Sequence, residues 1–183
     1  MAKQTDHLLR CVISLVLLFQ SSALFANWRE ALPDARLAGS GEMRMFGFSI
    51  YNAQFWSPRM LAGQSPGAKE PFALELTYTR AISRDDLVEA SLNEIRRLSP
   101  TPLSPEQIAR WDKEMQQAFV DVTPGSRITG VYLPGEGARF YVGDQLQHVV
   151  NDDAFANAFF AIWLDPRTRN PQLRAQLLGA AKP

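Results

Sequence analysis

The sequence predicts an α+β domain built on an antiparallel sheet. Three observations lead there: clean alternation over 72–79, helix starts capped at Ser83 and Ser104, and three turn signals between 124 and 144 spaced for a meander of strands. The order of the patterns is β, β, α, α, β-meander, α, α, with no internal repeat and no low-complexity tract.

Residues 1–26 have the layout of a secretory signal peptide and are set apart from the fold. Lys3 and Arg10 give a basic start, Cys11–Phe19 is an apolar run, and QSSALFA ends in small residues, which places cleavage after Ala26 or, as the alternative, Ala23. At nine residues the run is far below the ~20 that a spanning helix needs. Cys11 precedes most of the run, whereas a lipid-modified cysteine would follow it. The expectation is a protein exported to the periplasm with no stable membrane anchor, its single domain covering 27–183.

Within that domain, MRMFGFSIYNAQFW at 43–56 is aromatic and β-branched, and reads as a strand, or as two strands joined or bent at Gly47. Phe72, Leu74, Leu76 and Tyr78 then share one face of a half-buried strand, with Ala73, Glu75, Thr77 and Thr79 on the other. Ser83 followed by Asp86 opens a helix carrying Leu87, Ala90, Ser91, Ile95 and Leu98. Ser104, with Pro105 in the first helical position, opens a second, bearing Ile108, Trp111, Met115, Ala118 and Phe119. Pro124-Gly125, Pro134-Gly135-Glu136-Gly137 and Gly143-Asp144 delimit strands near 127–133, 138–142 and 145–150. Asn151 or Asp152 caps a helix to Leu164 that Asp165-Pro166 stops, and a last helix runs from Asn170-Pro171 to Gly179.

Composition excludes several chemistries. The 183 residues carry 19 basic and 19 acidic side chains, so there is no basic footprint for nucleic acid. The leader takes Cys11 and His7 with it and leaves 17 basic and 18 acidic residues, a net of −1. The exported chain then has no cysteine and one histidine, His148, which rules out thiol chemistry, disulfides and His-rich metal sites. No G-x-S-x-G string supports a hydrolase, and Gly39 and Gly41 lack the third glycine and the preceding strand of a dinucleotide fingerprint. No cofactor and no metal is implied.

Four ordered pieces carry a resemblance: LAGSGEMRMFGFSIYNAQFW, PFALELTYTRAISRDDLVEASLNEI, TPGSRITGVYLPGEGARFYV and FANAFFAIWLDPRTRNPQLRAQLLG. Together they resemble the exported bacterial branch of the chalcone isomerase-like family over nearly the whole domain. The resemblance implies an open-faced β-sandwich: a large antiparallel sheet covered by a layer of helices, with a ligand cleft between. Some members of that family close chalcones to flavanones, others bind fatty acids, and others have no known catalysis. The arginine common to both working branches matches Arg44, and the tyrosine that joins it at the carboxylate in the fatty-acid binders matches Tyr51. The isomerase's tyrosine falls near Ile82 or Ser83, its asparagine at Ala90 and its late hydroxyl near Ile162, so that machinery is unmatched apart from Arg44; Asn93 is a full turn further on. The resemblance therefore implies a non-catalytic periplasmic binder of a small apolar carboxylate such as a fatty acid. An intramolecular lyase or an envelope interaction protein without ligand are the alternatives, and no oligomeric state follows.

The residues themselves leave Arg44 open. A guanidinium among Met43, Met45, Phe46 and Phe48 must reach solvent or be paired, either by a ligand carboxylate or by Glu42 on the same strand face. Arg44 and Tyr51 are seven apart, which in a regular strand puts them on opposite faces unless Gly47 bends or bulges it. His148, on the face of Leu146 and Val150, reads as a hydrogen-bonded core or rim residue, and Asp152 and Asp153 as helix-start acids. Trp56, Trp111 and Trp163 read as core or cleft wall, and Arg167, Arg169 and Arg174 as a solvated basic face.

Overall fold

A computed structural model describes residues 27–67 and 69–180. The signal peptide expected at 1–26 lies outside the described residues.

Six strands form one antiparallel sheet in chain order, β1 (Arg36–Met45), β2 (Phe48–Ser57), β3 (Phe72–Tyr78), β4 (Arg127–Leu133), β5 (Gly137–Val142) and β6 (Gln145–Val150). The helices are α1 (Trp28–Ala31), α2 (Arg84–Leu98), α3 (Pro105–Ala118), α4 (Asp153–Leu164) and α5 (Pro171–Leu177). The α2–α3 pair is inserted between β3 and β4, and the other connections within the sheet are loops. This is the α+β antiparallel class that the sequence patterns predict, in the open-faced form that the resemblance implies.

The aromatic stretch at 43–56 resolves into a hairpin. Pairing runs to Met45–Phe48, so Phe46 and Gly47 alone make the turn, with φ of 50° and 85°. Both central residues at positive φ define the turn whose twist matches the strands; glycine enters it freely and a bulky residue does not. β1 also begins earlier than its composition predicts, running through Gly39-Ser40-Gly41. There α5 lies directly on β1: a Cβ at Gly39 would collide with the carbonyl oxygens of Gln176 and Leu177. These glycines serve helix docking, not nucleotide binding.

Side-chain caps start the helices where the sequence places them. Ser83 accepts from Asp86 N at 3.1 Å, Ser104 from Gln107 N at 3.1 Å, Asp152 from Phe155 N at 2.9 Å and Asn170 from Leu173 N at 3.0 Å. Each satisfies one of the orphan donors of a first turn. Helices α2 to α5 cover one face of the sheet, and Phe155, Phe159 and Trp163 rise at i, i+4 along α4 to stack through the middle of the core, with ring centroids 5.7 and 5.4 Å apart.

β3 is buried on both faces, not one. Its outer face is covered because Trp28 of α1 packs with Leu32, Ala73, Val131 and Tyr141 in a second small core, and Arg29 lies 4.3 and 4.7 Å from the Trp28 and Trp56 ring centroids. Glu75, at 6% exposure, accepts from Thr129 Oγ1 at 3.4 Å within that layer. A four-residue helix offers too little periodicity to be read from sequence, and the outer cover has no signal there.

Candidate functional site

Between the inner face of the sheet and the helices lies a cavity of about 770 Å³. From the sheet it is lined by Met43, Tyr51, Leu74, Tyr78, Gly130 and Phe140, and from the helices by Leu87, Ser91, Phe159, Phe160 and Trp163. The helical pattern at 87–91 takes its meaning from this space. The packed side of α2 is Val88, Leu92, Ile95 and Leu98, while Leu87, Ala90 and Ser91 face the cavity. The exposed lining residues Met45, Arg80, Asp86, Ala90, Asn93 and Arg169 mark the rim, which the β1–β2 hairpin, the start and outer side of α2 and the α4–α5 loop share.

Two phenols line the sheet side of the cavity. Tyr51 and Tyr78 are cross-strand partners with rings edge to face, centroids 5.9 Å apart. Trp163 Nε1 donates to the Tyr51 hydroxyl at 2.9 Å, which leaves the Tyr51 proton free to point elsewhere. The Tyr78 hydroxyl, on a residue 5% exposed, makes no hydrogen bond to any described residue. Burial pushes the Tyr51 phenol up to about 12 against the opposing pull of the indole bond, and it also pushes Tyr78 up, reinforced by the neighbouring Tyr51. Both are therefore neutral donors at any ordinary pH.

The two residues singled out for ligand binding are not brought together. Tyr51 lines the cavity, but Arg44 does not. Gly47 is a turn residue. The bulge lies beyond it, where Met43 pairs with Tyr51 and Arg44 with Ser49, leaving Ile50 as the extra residue. That register puts Met43, not Arg44, on the inner face with Tyr51. Arg44 points outward, its side chain 58% exposed, and takes the other option that the residues allowed: Nη1 donates to Glu42 Oε2 at 2.8 Å and Nη2 to the Gly47 carbonyl at 2.7 Å.

Cations the sequence treated otherwise do line the cavity. Arg80 lies two residues beyond β3, over the Phe48 ring at 5.8 Å from its centroid, and no described carboxylate is within salt-bridge distance of it. Arg169 pairs with Glu94 at 2.6 Å, and Arg174 donates to the Leu164 carbonyl at 2.7 Å and to Ser65 at 2.8 Å. Arg167 holds Asp165 and the Leu98 carbonyl. The basic cluster is thus solvated, with the Arg167 and Arg169 side chains 57% and 70% exposed, and it also fastens α4, α5 and their connecting loop to neighbouring groups. His148 bonds Glu114 of α3 at 2.7 Å, away from the cavity. Trp111 is core, donating to Asp152 at 3.0 Å, and Trp56 belongs to the outer layer. Among the described residues no cluster of His, Cys, Asp and Glu has metal-binding geometry.

The signal for the missed donors was present but ambiguous. Tyr78 closes the apolar row Phe72, Leu74, Leu76, where a hydroxyl at the end of the row is the one polar group; periodicity alone reads it as core.

Comparison with known proteins decides the family. The pattern described as chalcone isomerase-like matches residues 33–179. The chain belongs to that family. As a chalcone isomerase-like protein it is 29% identical over 164 residues to an uncharacterised protein of Haemophilus influenzae (strain Rd), an alignment covering 90% of this chain and 74% of the relative. Its fold also matches the crystal structure of an Arabidopsis thaliana fatty-acid binding protein, with a TM-score of 0.61 at 11% identity, over 80% of this chain and 87% of the other. Of the positions that the resemblance assigned to the isomerase's catalytic groups, Ile82, Ala90 and Ile162 line the cavity, while Ser83, the alternative to Ile82, caps α2.

Proposed function

We propose that this protein binds a small apolar molecule ending in a carboxylate, with a fatty acid the leading candidate, and that it does so in the periplasm after its leader is removed. The observation that carries this is the cavity: about 770 Å³ of mostly apolar space between sheet and helices, within the range of small-molecule sites. Its polar lining includes Tyr51, Tyr78 and Arg80 beside the β1–β2 hairpin and Asp86, Asn93 and Glu94 on α2, and its apolar lining includes Phe140, Phe159 and Phe160. A carboxylate placed among the phenylalanines would meet the full desolvation cost of a charge, whereas beside the exposed Arg80 and the neutral phenol donors it is hydrogen-bonded and partly wet. Head toward Arg80 and tail along the phenylalanines is therefore the favoured orientation. The fatty-acid binding protein that shares the fold adds support to the choice of ligand class. A cleft closed by side chains, which would have favoured an interaction protein without ligand, is not what the cavity offers.

Native mass spectrometry of the purified protein tests both parts. The expected result is a mass lacking residues 1–26 and a co-purified acyl chain. Arg80→Ala lowers occupancy at least about tenfold, as the loss of a charge-assisted hydrogen bond implies. Arg44→Ala, a change outside the cavity, leaves occupancy unaltered. A clean apo mass in the wild type that persists after incubation with fatty acids overturns the ligand assignment, and a retained leader overturns the location.

A further inference from the structure

The tip of the β1–β2 hairpin is shaped by residues that the fold itself does not need. Phe46 is 93% exposed, Phe48 65% and Met45 49%, so four consecutive positions, 45–48, present three large apolar side chains to water around one glycine. Phe46 occupies the turn with φ of 50°, a conformation in which Asn or Gly sits without strain and a phenylalanine does not. It gains nothing back by burial. An exposed, contiguous apolar group of this kind marks a contact surface.

Its position and surroundings say which contact. Met45 belongs to both the tip and the cavity rim, and the Phe48 ring carries the Arg80 guanidinium, the rim cation with no described acid partner. Arg44, behind the tip, is neutralised by Glu42 and adds nothing. A convex two-residue turn offers far less than the roughly 800 Å² per partner of a stable protein interface. A lipid surface needs no such area: aromatic and thioether side chains enter the headgroup region, and a cation above them meets lipid phosphate.

We propose that the β1–β2 tip is a lipid-surface wedge, in which Met45, Phe46 and Phe48 enter the outer part of a bilayer leaflet with Arg80 at the phosphate level, so that the cavity rim faces the membrane. The contact itself stands on the exposed tip. Its use in loading the cavity rests on the ligand binding proposed above.

Flotation with vesicles of phosphatidylcholine and phosphatidylglycerol tests it, using the protein in the form its host accumulates and variants in the same form. Wild type is expected to float with mixed vesicles and less with pure phosphatidylcholine. Phe46→Ser with Phe48→Ser weakens binding about tenfold or more, since each ring loses part of the burial it gains in lipid, and Arg80→Gln weakens it about fivefold on the anionic mixture only. Phe46→Asn, suited to the turn, controls for folding and weakens binding through the lost ring alone. The double serine variant is expected still to take up fatty acid from solution, so that a failure of vesicle binding and a failure of ligand binding are separate results. No flotation of the wild type, or flotation that the tip variants leave unchanged, overturns the wedge. A self-associating wild type whose dimer the serine variants dissolve, without vesicle binding, overturns it in favour of a second copy of the chain.

Discussion

Replacing Tyr51 with phenylalanine removes one oxygen and tests whether the polar lining of the cavity is built into the fold. That oxygen accepts the Trp163 Nε1–H at 2.9 Å, and Trp163 is 9% exposed. In Tyr51→Phe the indole donor is left without its partner in a nearly dry setting, which costs about 1–3 kcal/mol. The phenylalanine ring keeps the edge-to-face contact with Tyr78, so no packing loss adds to this. An expected destabilisation of about 2 kcal/mol corresponds to a fall in Tm of roughly 4–8 °C for a domain of this size. Urea unfolding should show the midpoint shifting with the slope unchanged. Trp163→Phe costs more, about 3 kcal/mol, because it strands the phenol and leaves space beside Phe159. Combining both changes should recover about 1 kcal/mol relative to the sum, the signature of a direct pair. A Tyr51→Phe protein within about 0.5 kcal/mol of wild type, or a strictly additive double variant, would refute a dry, preformed pair, because it would mean that cavity water serves the indole equally well.

Three further outcomes follow from the same geometry. Burial raises the pKa of Tyr51, Tyr78, Tyr132 and Tyr141, so the stability this gives is complete below the unfolded value of about 10 and is lost as pH rises through the folded values; tyrosinate absorbance should lag an unfolded control and then appear cooperatively as the protein opens. Gly39→Ala drives a methyl into the backbone of α5 and should cost at least about 3 kcal/mol, read as loss of the cooperative thermal transition or a steep fall in Tm. Phe46→Asn relieves the left-handed strain without giving up buried surface and should raise stability by about 1 kcal/mol, measured as a higher urea midpoint.

The sequence revealed what local chemistry controls and concealed what depends on tertiary register. Ser83, Ser104 and Asn170 announced three helices because a cap is a contact between residues three apart. Gly39-Ser40-Gly41 concealed half of β1 because its glycines answer to α5, more than 130 residues along the chain. Tyr51 was legible as a cavity residue, but its intended companion was not. Whether Arg44 or Met43 faces inward turns on one extra residue, Ile50, and a bulge has no sequence signature strong enough to place it. Arg80 is hidden in the sequence for a related reason: an arginine just past a strand is ordinary, and only the cavity behind it gives it a role.

The insertion of α2 and α3 between β3 and β4 sets how the molecule assembles. The hairpin β1–β2, its neighbour β3 and the meander β4–β6 close through nearby residues, while the β3–β4 seam must bring together strands separated by residues 79–126. Closing that long loop is the entropically costly step, so the two halves of the sheet can form before they join. Tyr51, Leu74 and Tyr78 stand on one side of the seam, Gly130 and Phe140 on the other, and α2 comes from the insert itself. The cavity consequently has no existence in either half. A ligand held there can act only on the joined molecule, slowing its opening while leaving the rate of its assembly untouched.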